Sequence, residues 1–211
     1  DGDSNSSARK TIYPQYKEHR RNDMNEFKMD SFQEQKERVK QYLEEMFVRQ
    51  VLIDNNEADD LIAYYCQISE NEHKTIFSGD KDLTQLISDK VSIYSPNSKR
   101  FYKKGDNIKL HDIEVPHDNI KTCKVLMGDK SDNIDGIYFL GEKTFVKLFP
   151  EVLDETVSVT DILTKAESLL KEDKENKVLQ NLLSGKTKSG IFGEEFYTIN
   201  EKIVDLSNPL I

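Results

Sequence analysis

The chain has 211 residues, of which 36% are hydrophobic and 33% charged, so it can form at least one domain with a buried core. It contains no run of about 18 apolar residues, and its polar start is unlike a signal peptide, so we expect no membrane partner. Cys66 and Cys123 lie far apart in the sequence and indicate reduced thiols of an intracellular protein rather than a metal-binding pair.

The net charge of −9 at first argues against a nucleic-acid partner. Its distribution weakens that argument, because nine carboxylates fall into four short clusters. These are Asp1 and Asp3; Glu57, Asp59 and Asp60; Asp80 and Asp82; and Asp129 and Asp132. The nine equal the whole net charge, so bound divalent cations would leave the rest of the chain balanced. The acidic total therefore does not exclude a polyanionic substrate.

The first half of the chain is predicted to alternate between helices and strands. Residues 1–11 are rich in Ser, Asn and Asp and predict a loop, and the helical spacing of apolar side chains predicts an amphipathic helix over 31–50. Strands are predicted over 51–54, 74–78 and 91–94, helices over 58–69 and 82–88, and a hairpin that pairs 100–103 with 108–110 across Gly105. This alternation is typical of an α/β fold with a mainly parallel sheet.

From His117 onward the pattern is helical. The predicted helices are 118–127, 143–149, 160–171, 176–183 and 194–205. We therefore expect an α/β core over 1–115 and a helical module over 116–211.

Two carboxylate clusters have the same position relative to a predicted strand. The acids at 57–60 follow the strand 51–54, and the acids at 80–82 follow the strand 74–78. Groups just past the carboxyl ends of neighbouring strands converge on one crevice, so these acids are expected at a single edge of the sheet. Carboxylates packed in this way repel one another unless cations bind, and their oxygens suit Mg²⁺ or Mn²⁺.

The simpler interpretation is that each acid stabilises the start of a helix. A lone Asp82 would usually be a helix cap or complement the helix dipole. Two clusters in register, with a third at Asp129 and Asp132, favour a metal site instead. Asp129 and Asp132 are three residues apart and would share one face of a helix.

These acidic segments resemble, in order, the motifs of the flap endonuclease/5′-exonuclease family. The segments are Glu-Ala-Asp-Asp at 57–60, Ser-Gly-Asp-Lys-Asp at 78–82 and Gly-Asp-Lys-Ser-Asp-Asn at 128–133. Tyr-Lys-Glu-His-Arg at 16–20 resembles the base of that family's helical arch, and 196–205 resembles the tail of its bacteriophage members. The family includes the 5′ nuclease domain of bacterial DNA polymerase I and bacteriophage 5′ nucleases of the RNase H type.

The resemblance implies an α/β fold of the PIN-like 5′ nuclease type, with a mainly parallel central sheet flanked by helices. The arch would lie at about 12–50, and the C-terminal helical module would contain a helix-turn-helix near 116–150. The implied activity is metal-dependent hydrolysis of phosphodiester bonds at 5′ flaps, nicks or RNA primers. The implied partners are branched or primed DNA, an RNA–DNA hybrid, and a single-strand-binding protein or sliding clamp, in the cytoplasm of a bacterial cell or phage-infected host.

The resemblance also implies roles for individual residues. Two ions of Mg²⁺ or Mn²⁺ would be held by the acids Asp1, Glu57, Asp59, Asp80, Asp82, Asp129 and Asp132, with Asp60 as a further ligand or as a group that supports the ligands from behind. Lys17 and Arg20 would act on the scissile phosphate together with the metal ligands Asp80 and Asp82. The remaining DNA contacts would come from Arg9, Lys10, Tyr16, Arg21 and Lys143, with Tyr16 stacking on a base.

The sequence departs from the family pattern in two places. It begins at Asp1, inside the implied domain, so the first strands and an upstream metal-binding Asp of the family are expected to be absent. At 138–140, Tyr-Phe-Leu replaces the usual residues of the helix-turn-helix, which puts the K⁺ ion sometimes held there in doubt.

Three alternatives stay open. The chain could be a nuclease-like module that binds branched DNA without cutting it, or an acidic regulatory protein with no nucleic-acid role. The segment 136–144 is also a near miss to a nucleotide-binding loop, but Glu142 interrupts the Gly-Lys-Thr order and would repel a phosphate.

Overall fold

The computed structural model of the chain describes residues 7–18, 26–191 and 193–210, without the side chains of 7 and 26–29. Over these residues it contains eight α-helices, five strands and two short 3₁₀ helices. The α-helices are α1 (Ser7–Ile12), α2 (Glu26–Glu45), α3 (Ala58–Ile68), α4 (Asn119–Met127), α5 (Glu142–Leu148), α6 (Val159–Glu172), α7 (Lys177–Ser184) and α8 (Glu194–Val204). The strands are β1 (Lys74–Phe77), β2 (Val91–Ser95), β3 (Arg100–Tyr102), β4 (Asn107–Leu110) and β5 (Ile113–Pro116), and the 3₁₀ helices are Asp82–Leu86 and Pro150–Leu153.

The α/β fold class is confirmed, but the sheet is mixed rather than mainly parallel. β1 pairs with β2 in parallel, from Lys74 opposite Val91 to Phe77 opposite Tyr94. β3 then returns antiparallel to β2, with Ile93 opposite Tyr102. The crossover from β1 to β2 contains the 3₁₀ helix Asp82–Leu86, which places acidic residues directly after the end of β1.

The predicted hairpin between 100–103 and 108–110 is wrong. β3 pairs with β2, and β4 pairs with β5 as a separate two-stranded sheet, with Leu110 opposite Ile113. Only two residues separate Leu110 from Ile113, and the first of them, His111, adopts a φ of 53°. Two-residue turns with positive φ match the twist of paired strands, so this local connection is favoured over the longer one across Gly105.

The predicted strand 51–54 is also wrong. Its side chains are largely exposed, at 61% for Val51, 69% for Leu52 and 43% for Ile53, and no described strand pairs with it. Apolar β-branched residues favour a strand only when a neighbour accepts and donates the backbone hydrogen bonds. The helix predicted over 31–50 is present as α2, which begins and ends earlier than predicted, and none of its described side chains is buried.

The five helices predicted after His117 are all present, with ends shifted by one or two residues. α4 is the centre of the core, because it packs against α8, the first 3₁₀ helix, β5 and α6. Ile120, Cys123, Val125 and Leu126 of α4 are fully buried. The hydrophobic core extends across the predicted boundary at 115, from Ile93 and Val115 to these residues.

Three smaller expectations concern the cysteines, membrane-spanning helices and a nucleotide-binding loop. Cys66 is half-buried, Cys123 is buried, and both are free thiols. None of the helices over the described residues combines the length and the apolar character that a membrane crossing needs. The segment 136–144 is a turn followed by α5, not a strand followed by a helix, so it lacks the context of a nucleotide-binding loop.

Candidate metal centre

Five carboxylates from three separate segments line one small cleft. Two stand at the start of α3, one at the start of the 3₁₀ helix after β1, and two in the turn after α4. They are Glu57, Asp59, Asp82, Asp129 and Asp132. The convergence expected for these acids is therefore present in the structure.

The tightest group within the cleft consists of Asp82, Asp129 and Asp132. One oxygen from each lies within 4.8 Å of the others, a spacing at which they could share one cation. The turn that carries Asp129 and Asp132 is not helical, so the two acids do not share a helix face. It is closed by the hydrogen bonds from Asp129 N to Ile134 O at 2.9 Å and from Ile134 N to Asp129 O at 2.8 Å. This closed turn, rather than a helix face, directs both carboxylates into the cleft.

Lys124 is a residue of the cleft that the sequence reading missed. Its ammonium donates to Asp82 and, at 2.6 Å, to Asp129 Oδ2. Burial alone would lower the pKa of Lys124, but these two carboxylates outweigh it and raise the pKa above the usual value. We call Asp82, Lys124 and Asp129 the Lys124 bridge. Its sequence signal is a lysine directly before the apolar residues 125–127 and five residues before Asp129.

Glu57 lies in a different environment, among three hydrogen-bond donors. Lys17 Nζ is 2.7 Å from Glu57 Oε1, Tyr16 Oη donates to Glu57 Oε2 at 3.0 Å, and Arg9 Nη1 is 3.3 Å from the same oxygen. Tyr16 Oη is also 3.2 Å from Asp132 Oδ2. The backbone N of Lys17 donates to the backbone carbonyl of Asp132 at 2.9 Å, so the segment with Lys17 is tied to the backbone of the acidic turn as well as to Glu57.

Arg9 and Asp60 form a buried ion pair behind Glu57. Arg9 Nη1 and Nη2 both donate to the Asp60 carboxylate, the second at 3.0 Å, and Arg9 Nε donates to Ile203 O at 2.9 Å. Asp60 Oδ1 also accepts a hydrogen bond from Leu210 N at 3.1 Å. We call Arg9, Tyr16, Lys17, Glu57 and Asp60 the Glu57 network.

This network corrects two predicted roles and decides between the two given for Asp60. Arg9 is only 3% exposed and Tyr16 only 2%, so neither is placed to meet a phosphate or stack on a base. Asp60 is 1% exposed and already accepts from Arg9 and Leu210, so it supports Glu57 rather than facing the cleft. Arg9 and Tyr16 were misassigned because their positions adjoin the cleft while their side chains turn into the core.

The protonation of the cleft reflects crowding of like charges. Burial, followed by repulsion from Asp80, Asp82 and Glu57, raises the pKa of Asp59 to about 6. Burial also raises the pKa of Asp82, although Lys124 acts in the opposite direction. Burial works against ionisation of Asp129 too, but Lys124 and Ser131 hold its pKa below the usual value. The cleft therefore needs more positive charge than its own side chains supply.

The other predicted site residues lie at the rim of the cleft or outside the residues that the structure describes. Asp80 is exposed, and its Oδ1 accepts from Asp82 N at 2.9 Å. Lys10 is half-buried and Lys143 exposed, and neither forms an ion pair with the described part of the chain. Asp1, Arg20 and Arg21 lie outside the described residues.

The sequence resembles several known proteins. Residues 1–112 match the model of the family described as 5′-3′ exonuclease, N-terminal resolvase-like domain. The DNA polymerase I of Lactococcus lactis subsp. cremoris is 31% identical over 179 residues, which is 82% of this chain and 19% of that protein. The 5′-3′ exonuclease of Halalkalibacterium halodurans is 33% identical over 179 residues, 83% of this chain and 56% of that protein.

The fold is likewise similar to a solved structure. A bacteriophage T5 flap endonuclease, in a pseudo-enzyme–product complex with DNA and metal ions, superposes with a TM-score of 0.73 at 26% identity, over 96% of this chain and 71% of that one. The chain spans 19% and 56% of the lengths of the two curated relatives. Since the family model matches more than half of the residues, the chain belongs to the family of 5′-3′ exonuclease N-terminal resolvase-like domains.

Proposed function

We propose that the protein is a divalent-metal-dependent nuclease that hydrolyses phosphodiester bonds at 5′ flaps, nicks or RNA primers. The observation that carries the proposal is the convergence of five carboxylates from three segments beside the ammonium of Lys17. The relatives support it, because one is named a 5′-3′ exonuclease and a similar structure is a flap endonuclease complexed with DNA and metal ions.

We infer that the donor set would hold two ions of Mg²⁺ or Mn²⁺. All donors are carboxylate oxygens, which hard divalent cations prefer, and Lys124 already places a positive charge between two of them. Glu57 and Asp59, with Asp1, would hold one ion. Asp82, Asp129 and Asp132, with Asp80 at the rim, would hold the other. Such ions supply a hydroxide at neutral pH and stabilise the leaving oxygen of an in-line displacement.

The side chains of the chain itself would position and stabilise the phosphate. Lys17 is 2.7 Å from Glu57 and its side chain is 14% exposed, so it can turn from that carboxylate to a phosphate oxygen entering the cleft. There it would offset the negative charge that develops on the phosphoryl group, and Arg20 would assist. Tyr16 would keep Glu57 and Asp132 oriented, because its hydroxyl lies within hydrogen-bond distance of both.

DNA would approach from the rim of the cleft. Lys10, Arg21 and Lys143 would contact phosphates, and α4 with α5 would form the helix-turn-helix that holds duplex. The substrate would be branched or primed DNA or an RNA–DNA hybrid, and the partners a sliding clamp or single-strand-binding protein. The place of action would be the cytoplasm of a bacterial cell or phage-infected host.

Cleavage of a 5′-flap substrate by the full-length protein tests the proposal. We expect cutting with Mg²⁺ and a loss of more than about 100-fold in Asp82→Asn, because the change removes a charged metal donor. Asp89→Asn is the matched control, since Asp89 is exposed and pairs only with Lys104 at the surface. An uncut flap with the unmodified protein, or equal rates in Asp82→Asn and Asp89→Asn, would refute the proposal.

A second candidate is a module that binds branched DNA without cutting it. The Lys124 bridge favours it, because the ammonium contacts two of the carboxylates that a metal would need. Calorimetric counting of bound Mn²⁺ separates the two candidates. Two ions with turnover support the nuclease, whereas one weakly bound ion without turnover supports the binding module.

A further inference from the structure

The turn between α4 and α5 presents a strained aromatic residue to solvent. Phe139 has a φ of 68° and its side chain is 61% exposed. A bulky side chain rarely adopts this left-handed conformation, and an exposed phenyl ring gains nothing from the core in return. The conformation therefore calls for an explanation other than packing.

The ring of Phe139 is part of a two-ring stack. Its centroid lies 3.9 Å from that of Tyr138, with the ring planes 26° apart. Tyr138 is half-buried and covers one face of Phe139, so the exposure of Phe139 belongs to the opposite face and the ring edge. The pair presents a flat apolar surface of the kind on which another planar ring can stack.

The backbone beneath the stack is held firmly. Tyr138 N donates to Lys186 O at 2.9 Å, and Asn181 Nδ2 donates to Tyr138 O at 3.0 Å. The neighbouring side chains of Ile137 and Leu140 are buried, at 4% and 3% exposure. Because the turn is already ordered, a ligand that stacks on it would lose little conformational freedom from the protein.

Two exposed lysines lie close in sequence to the stack or to the segment that holds it. Lys143, on the first turn of α5, and Lys188, just after the segment that holds Tyr138, are exposed and form no ion pair with any described residue. Aromatic rings flanked by cations are the arrangement that binds unpaired bases and their phosphates. The turn that carries Tyr138 and Phe139 begins near Gly136, which packs so closely against the end of α4 that a Cβ there would lie 2.1 Å from Met127 O. Along the chain it follows the acidic turn of the cleft.

We propose that Tyr138 and Phe139 form a stacking platform for an unpaired or unstacked nucleobase of the DNA held at the cleft. The inference rests on the proposed nuclease function and deepens it. It predicts a preference for substrates with a break in base stacking, such as a flap or a nick, over continuous duplex.

The test uses the full-length protein in an Asp82→Asn background, which prevents cutting, and measures affinity for fluorescent flap DNA by anisotropy. Phe139→Gly should weaken flap binding about tenfold, since it removes one base–aromatic stack. It should weaken binding of continuous duplex much less, because a continuous duplex offers no unpaired base to the ring. Its thermal stability should equal or exceed that of the parent, because glycine adopts a positive φ without strain. Phe101→Ala, which removes another exposed phenyl ring on β3, is the control and should bind like the parent.

A second variant reports on the stack directly. The 211 residues contain no tryptophan, so Phe139→Trp introduces a fluorophore at the platform. It should keep the parent's flap affinity, and its emission should be quenched when flap DNA binds but not when continuous duplex binds. Unchanged flap affinity in Phe139→Gly, or unquenched emission in Phe139→Trp, would overturn the platform. If the unmodified protein cuts flaps while either result is found, the platform alone fails; if it neither binds nor cuts them, the proposed function fails with it.

Discussion

The Glu57 network and the Lys124 bridge solve the same electrostatic problem in different ways. Glu57 is surrounded by hydrogen-bond donors from Arg9, Tyr16 and Lys17, and the buried ion pair between Arg9 and Asp60 supports it from behind. Asp82 and Asp129 instead share one lysine on a flexible side chain. The first arrangement is fixed by the fold, whereas an arriving metal ion can take over the role of the lysine in the second. The two should therefore respond differently to substitution and to metal.

The largest expected effect is on the buried pair of the Glu57 network. Asp60→Ala should lower the free energy of unfolding by about 3–5 kcal/mol, because it leaves the Arg9 guanidinium buried without its partner. Urea unfolding measures this loss, and saturating Mg²⁺ should not restore it. Asp89→Ala breaks an exposed pair with Lys104 and should cost less than about 1 kcal/mol. Equal losses in the two variants would contradict the structural role of Asp60.

A large effect on catalysis is expected for Lys17 of the same network. Lys17→Ala should lower the single-turnover rate of flap cleavage by about 100–1000-fold, because it removes the cation nearest the reacting phosphate. Lys104→Ala, which removes an exposed lysine outside the cleft, serves as the control. A rate within a factor of about three of the parent would show that Lys17 supports Glu57 without acting on the substrate.

Substitution in the Lys124 bridge should cause a loss of stability that metal binding reverses. Lys124→Met should destabilise the metal-free protein by about 1–3 kcal/mol, since two carboxylates lose their shared donor. Saturating Mg²⁺ should recover most of that loss, and the affinity for Mg²⁺ should rise because the competing ammonium is gone. Thermal unfolding with EDTA and with Mg²⁺ measures both effects. A loss of stability that Mg²⁺ leaves unchanged would show that the bridge, like the Glu57 network, supports the fold independently of metal.

The smallest expected effect is the pH dependence of the metal-free protein. The pKa of Asp59 is about 6 in the folded protein, above its ordinary value of 3.8, so the folded state binds more protons between these two pH values. Stability should therefore fall by about 1–2 kcal/mol as pH rises through this window. Asp59→Asn should flatten the fall, and urea unfolding from pH 4 to pH 7 in EDTA measures it. An identical pH dependence in Asp59→Asn and the parent would contradict the raised pKa of Asp59, because the other carboxylates, among them Asp129 with its lowered pKa, are the same in both.

The sequence could predict the acids of the cleft because their placement follows from local rules. Asp82 comes directly after β1 and Glu57 directly before α3, as predicted, although the strand expected ahead of Glu57 is not present. The partners of these acids could not be predicted in this way. Tyr16 contacts Glu57 across 41 residues of sequence, and Arg9 contacts Asp60 across 51. The direction of each side chain depends on how the core packs.

The errors in the sheet have a related cause. Residues 51–54 have the composition of a strand, but pairing depends on a neighbour that composition does not reveal. The predicted hairpin across Gly105 used a plausible turn residue, yet the shorter connection between Leu110 and Ile113 forms instead. Turn length and register are decided by competition between segments, so each segment read alone is ambiguous.

The contact between Arg9 and the carbonyl of Ile203 joins residues 194 positions apart. Ribosomes add about 5–20 residues per second, so the chain carries Arg9 and Glu57 for many seconds before Ile203 exists. A nascent or prematurely terminated chain thus contains the acids of the cleft while the support behind Glu57 is still open. Under the proposed nuclease function, the site would be complete only once translation has passed Ile203, which would keep partly made copies from acting on DNA.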